Sequence, residues 1–129
     1  MTEVAAVVLL KGNRRALACW RATWHPNGCP FEWLGGKREA EDPSLAATAA
    51  REVLQETGIV VSPSKLVPFG KVFRFRIDRK TYLIHHFLAP VDSYSGLPEL
   101  NREIHRGFWW FTYNQVQALT GMFLPSDQS

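Results

Sequence analysis

Between Asp42-Pro43 and Gly58 the chain carries its central helix-like run. An oxygen acceptor at the N-cap and a proline at the first helical position open it, and a glycine closes it. β-rich runs flank this helix on both sides. "EVAAVVLLK" and "RALACWRAT" surround Gly12-Asn13 and predict a hairpin, and "FEWL" predicts a short strand entering a tight turn at Gly35-Gly36. Downstream, "KVFRFRI" and "TYLIHHFLA" surround "DRK" as a second hairpin. After the polar loop "SYSGLPELNREIHRG" come a strand, "FWWFT", and a short helix, "NQVQAL". One central helix among antiparallel hairpins predicts an α+β or mixed α/β fold, not a doubly wound sheet. With 129 residues, 46% of them hydrophobic, the chain suffices for one core, and the expected organisation is a single domain over residues 1–129.

The helix poses a chemical question. With Leu45 at zero and about 100° per residue, Ala46, Ala49, Ala50 and Val53 form the predicted buried stripe. Glu52 and Glu56 lie along one edge of it, and Thr48, Arg51 and Gln55 point to the wetter side. Two glutamates four residues apart repel by roughly 0.2–0.5 kcal/mol on an exposed helix, more if shielded from water. A positive partner is therefore expected, either a basic side chain or a divalent cation with oxygen ligands.

Composition narrows the class. Cys19 and Cys29 belong to no metal-binding or disulfide array, which fits a reducing, cytoplasmic setting. "VAAVVLL" is too short to span a membrane, and it follows Glu3, where a secretory signal would be positive. The net charge of +3 suits an anionic, phosphorylated ligand, although a solvated basic surface gives the same number. His85 and His86, adjacent on a strand, point to opposite faces and predict no shared metal site.

The glycine pair after an aromatic-rich strand, the Asp-Pro helix start and "REVLQETGI" together resemble the Nudix hydrolase signature G-x5-E-x7-R-E-U-x-E-E-x-G-U, where U is a bulky aliphatic residue. "WRAT...FEWLGGK" is most similar to the MutT-type nucleoside triphosphate pyrophosphohydrolases. Two positions depart from the signature. Asp42 stands for the first Glu but is followed by one extra residue before Arg51, and Gln55 replaces a Glu.

The resemblance implies a Nudix-type α/β/α sandwich with a mixed sheet and a catalytic box helix. It implies Mg²⁺ or Mn²⁺ held by Glu52, Glu56 and the carbonyl of Gly36, with Arg51 pairing with and orienting an acid. Glu103 is the candidate for completing the site or acting as base, with Glu99 in reserve. Arg21 and Lys37 match phosphate-contacting positions, and Trp33 is the first choice among the tryptophans for stacking on a base. The implied reaction is metal-dependent hydrolysis of a nucleoside diphosphate linked to X, foremost a nucleoside triphosphate to monophosphate and pyrophosphate, as in nucleotide-pool sanitation. The alternatives are a catalytically weakened nucleotide-binding or regulatory module and an RNA 5′-end pyrophosphohydrolase. The sequence displays no extended basic groove, so stable nucleic-acid binding is not expected, nor is a membrane partner.

Overall fold

The computed structural model describes residues 1–12, 14–21 and 31–118, with the backbone alone at Arg21. The strands are β1 (Thr2–Lys11), β2 (Arg15–Arg21), β3 (Phe31–Glu32), β4 (Leu34–Lys37), β5 (Val67–Ile77), β6 (Lys80–Ala89) and β7 (His105–Thr112). Helix α1 spans Leu45–Thr57 and α2 spans Tyr113–Ala118; single 3-10 turns occupy Pro63–Lys65 and Val91–Ser93. The sheet runs β3-β2-β1-β6-β5, with β4 also on β1 and β7 also on β2. β1 joins its two halves. Its first part pairs parallel with β6 and antiparallel with β4, and its last residues pair with β2. That one parallel pairing makes the sheet mixed.

Strand alternation separates two layers. Ala5, Val7, Leu9, Leu17, Cys19, Leu34, Phe87 and Ala89 form one core with Ala49 and Val53 of α1. On the other face Ala18 and Phe111 pack with Phe31, Trp33 and Val116 of α2. The two helices thus cover opposite faces, an α/β/α sandwich. Among the described residues, no helix is long and apolar enough to cross a membrane.

Both hairpins form. In the first, Leu10 faces Ala16 and Lys11 faces Arg15; Asn13 of its turn lies outside the described residues. In the second, Ile77 pairs with Lys80 around Asp78-Arg79, whose φ angles of 50° and 67° make a two-residue type I′ connection. His86 packs edge-on against Phe69 and Phe73, while His85 lies 3.1 Å from Glu3 on the other side.

Three local expectations are corrected. The glycine pair is not a tight turn but part of β4, where Gly35 faces Ala6 and Gly36 faces Ala5. A Cβ at Gly35 (φ +151°) would sit 2.1 Å from the Ala5 carbonyl oxygen, so the glycine permits a close strand approach instead of a reversal. "FEWL" is interrupted at Trp33, because β3 pairs with β2 and β4 with β1. The helix is capped by Ser44, whose hydroxyl accepts the Ala47 N–H at 3.1 Å, and not by Asp42. The C-terminal stop is as expected: Gly58 (φ 75°) donates its N–H to the Leu54 carbonyl at 2.9 Å.

Candidate active site

Asp42 is released from capping to hold Arg51. The guanidinium donates from Nε to Oδ1 at 3.0 Å and from Nη2 to Oδ2 at 2.9 Å, a two-point contact suited to its planar fork. Asp42 Oδ2 also accepts the Glu39 N–H and the Thr48 hydroxyl, each at 2.9 Å. This corrects the expected orientation of Thr48. It is fully buried, since its hydroxyl is satisfied by Asp42 and by the Ser44 carbonyl. The buried arc of α1 therefore extends beyond the alanine stripe and takes in Glu56, which is 2% exposed instead of lying along the surface.

From this anchor Arg51 reaches toward both α1 and β4. Its Nη1 donates to Glu52 Oε1 at 2.9 Å and its Nη2 to the Lys37 carbonyl at 3.0 Å. Glu56 Oε1 accepts the Gly35 N–H at 2.9 Å. The edge of β4 that faces away from β1 is thus tied to α1 at both ends, and the two glutamates are held along it. Gly36 makes room between them: a Cβ there would lie 2.5 Å from the Glu52 carboxylate carbon. In an extended strand the N–H and C=O of one residue point the same way. Because the Gly35 N–H goes to Glu56 and the Arg38 N–H to the Glu3 carbonyl, the carbonyl on the helix side is that of Gly35, and that of Gly36 turns toward β1.

Lys37 and Trp33 lie on the opposite face of the sheet. The Lys37 ammonium stands 5.6 Å from the Tyr82 ring centroid, and Trp33 packs with Ala18 and Phe111. The Arg21 side chain lies outside the described residues. Glu103 and Glu99 are exposed on a loop fastened to the end of α1, where the Asn101 N–H donates to the Glu56 carbonyl and the Glu99 N–H to the Thr57 carbonyl. Gln55 is exposed, 3.4 Å from Arg51 Nη1. Trp20 is occupied in packing, with ring atoms where a Cβ on Gly107 would be. Trp24, His25 and Cys29 lie outside the described residues.

A third acid, Glu32, comes to the helix side as the cross-strand partner of Cys19, and the fully buried His105 bonds to it at 2.8 Å. Alternation back from Leu34 was the sequence signal for Glu32. Nothing local marked His105, whose partner is 73 positions away.

Burial sets the electrostatics of Glu52. Loss of water raises its pKa above the ordinary value despite the neighbouring Arg51 charge. The Arg51 hydrogen bonds, followed by the Glu39 N–H, hold Asp42 far below the usual carboxylate range. Burial, reinforced by the negative charges of Glu56 and Glu32, pushes the Cys19 thiol well up, so it stays protonated and unreactive.

Among the described residues, no cluster of three or more His, Cys, Asp or Glu could hold a metal. The oxygens on offer for a cation are two carboxylates and a backbone carbonyl beside the opening at Gly36, all of them hard. They fit Mg²⁺ or Mn²⁺ shared with substrate phosphates, and do not fit a cation enclosed by protein alone.

The NUDIX domain model matches residues 1–127. The solution structure of the E. coli ORF135 protein superposes with a TM-score of 0.77 at 20% identity, over 98% of this chain and 83% of that one. A MutT Nudix hydrolase from Burkholderia pseudomallei gives 0.72 at 20% identity, over 93% and 96%. A bifunctional NMN adenylyltransferase/ADP ribose pyrophosphatase from Francisella tularensis, complexed with AMP and a manganese ion, gives 0.72 at 22% identity, over 95% of this chain but 37% of that chain. Identities this low establish the fold alone. A search of curated proteins found no match. The match to the family model over nearly the whole length carries the assignment: this chain belongs to the Nudix family, hydrolases of nucleoside diphosphate derivatives.

Proposed function

We propose that the protein hydrolyses a nucleoside triphosphate to the monophosphate and pyrophosphate. The observation that carries this reading is the fixed pair Glu52 and Glu56 along the edge of β4 that faces away from β1, held by the Gly35 N–H and by an Arg51 itself clamped by Asp42. Glu52, Glu56 and the Gly35 carbonyl would hold a divalent cation, with Gly35 preferred to the Gly36 expected from sequence. When bound, such a cation activates water and offsets charge on phosphate oxygens. Arg51 keeps the Glu52 carboxylate aimed while it is partly desolvated, and the space at Gly36 lets that carboxylate stand against the strand. Lys37 and Arg21 would contact phosphates and Trp33 the base, with Glu103, on the loop bound to the end of α1, as the candidate base for water.

The test is pyrophosphate release from a panel of common, methylated and oxidised nucleoside triphosphates with Mg²⁺ or Mn²⁺. Metal-dependent release by wild type, lost in Glu56→Gln, supports the reading. Nucleotide binding by calorimetry without turnover would replace it with a binding module, for which the exposed Gln55 is the motivating feature.

A further inference from the structure

The positive charge of this protein is not spread evenly. Residues 71–80 hold Lys71, Arg74, Arg76, Arg79 and Lys80, five of the 15 basic residues, with Asp78 their one acid among 12. The rest of the chain then has ten cations against eleven acids, so the net charge of +3 arises in this segment. It is the β5–β6 hairpin, at the outer end of the sheet. All five cations are exposed, and among the described residues none forms an ion pair. Arg51 and Arg38, by contrast, are paired with acids.

Register sorts the side chains. Arg74 and Arg76 pair with Leu83 and Thr81 on one face; Phe73 and Phe75 pair with Ile84 and Tyr82 on the other. Phe75 and Tyr82 stack at 5.2 Å and 20°, and Phe69 at the far end is exposed. β5 pairs only with β6 among the described residues, so its other edge is open over an 11-residue strand.

We propose that this hairpin edge binds a single strand of nucleic acid. Arg74 and Arg76 lie about 6.6 Å apart along the strand and can follow successive phosphates, while the half-buried Phe73 and Phe75 and the exposed Phe69 are the rings within reach of bases across the edge. The arrangement disfavours the other occupants. A second copy would bring like-charged edges together, which is how cations protect a sheet edge. A bilayer takes cations on one face and buries an apolar face opposite them, but here the ring face itself carries a charge, with the Lys37 ammonium 5.6 Å from the Tyr82 ring centroid. A duplex keeps its bases from the rings. The proposal revises the expectation of no stable nucleic-acid binding, because five cations interleaved with aromatics in sequence become a patch only once the hairpin folds. It is independent of the catalytic reading.

The experiment is fluorescence anisotropy with a labelled 12-nucleotide single-stranded RNA or DNA from 50 to 200 mM salt. It compares wild type, Arg74→Glu/Arg76→Glu, and the control Lys65→Glu/Arg14→Glu, which removes the same charge from exposed sites elsewhere. Wild type is expected to bind with a logarithmic salt slope steeper than about −2, at roughly −0.7 per phosphate contact. The hairpin variant should lose tenfold or more in affinity and about 1.4 in slope, with the control close to wild type and turnover of free nucleotides unchanged. No binding by wild type, equal loss in the control, or tighter binding to duplex or to anionic vesicles would overturn it.

Discussion

At the scale of single residues, two glycines and two glutamates shape the candidate site. Gly36→Ala would push a methyl group onto the Glu52 carboxylate, whereas Gly35→Ala would drive one into the Ala5 carbonyl. The first should fold and lose activity. The second should lose stability as well, by about 1–3 kcal/mol for strained backbone. Thermal melts beside turnover assays separate the two.

Glu52 makes a sharper prediction. Its folded pKa is raised above the ordinary 4.5, so its favourable contribution is complete below that value and is lost as pH rises through the folded pKa. In metal-free protein, denaturant midpoints of wild type should fall relative to Glu52→Gln as pH climbs from about 4.5 toward 7. The variant should be inactive yet no less stable at neutral pH. A Gln variant that melts well below wild type there would mean the Arg51 contact outweighs the burial.

At the scale of elements, α1 and the second hairpin each rest on a few backbone decisions. Ser44→Ala removes the true cap and should cost about 1 kcal/mol. Asp42→Asn should do more damage, since it loosens Arg51 from Glu52 and from the Lys37 carbonyl together. Because the folded pKa of Asp42 is depressed, its contribution is present above about 3.8 and lost as pH falls below it, so this variant should flatten the acid limb of the unfolding profile. In the β5–β6 turn, Arg79 sits at φ 67°, where a side chain is unfavourable. Arg79→Gly should raise stability by up to about 1 kcal/mol by urea titration, and an unchanged midpoint would argue against the positive-φ turn.

The helix, both hairpins and the last strand were legible because periodicity and turn residues are local signals. The role of Asp42 was not, because Asp-Pro and Ser both satisfy the rules for starting a helix. What decides between them is a guanidinium nine positions on.

At the scale of the whole molecule, the sandwich delivers the proposed site residues to both faces of one sheet. Glu52, Glu56 and Arg51 stand on the α1 side, while Lys37 and Trp33 stand on the other. A substrate reaching both sets must pass the edge or end of β4. Sequence identified the acids through their spacing, but it could not tell that Gly36 and Lys37 project to opposite sides until the glycines were known to be strand and not turn. The pairing of Glu32 with His105 was equally invisible, since only the closing of β7 on β2 brings them together.

The proposed metal-dependent activity rests on Glu52 and Glu56 despite Gln55 and the extra residue before Arg51. Its most direct test is the rate of pyrophosphate release from nucleoside triphosphates as Mg²⁺ is titrated, in wild type and Glu56→Gln. Saturable metal dependence is expected in wild type, and Glu56→Gln should lose more than the roughly 10–100-fold typical of disturbing only an outer partner of a metal site. Metal-independent release, or equal rates in the two proteins, would contradict it.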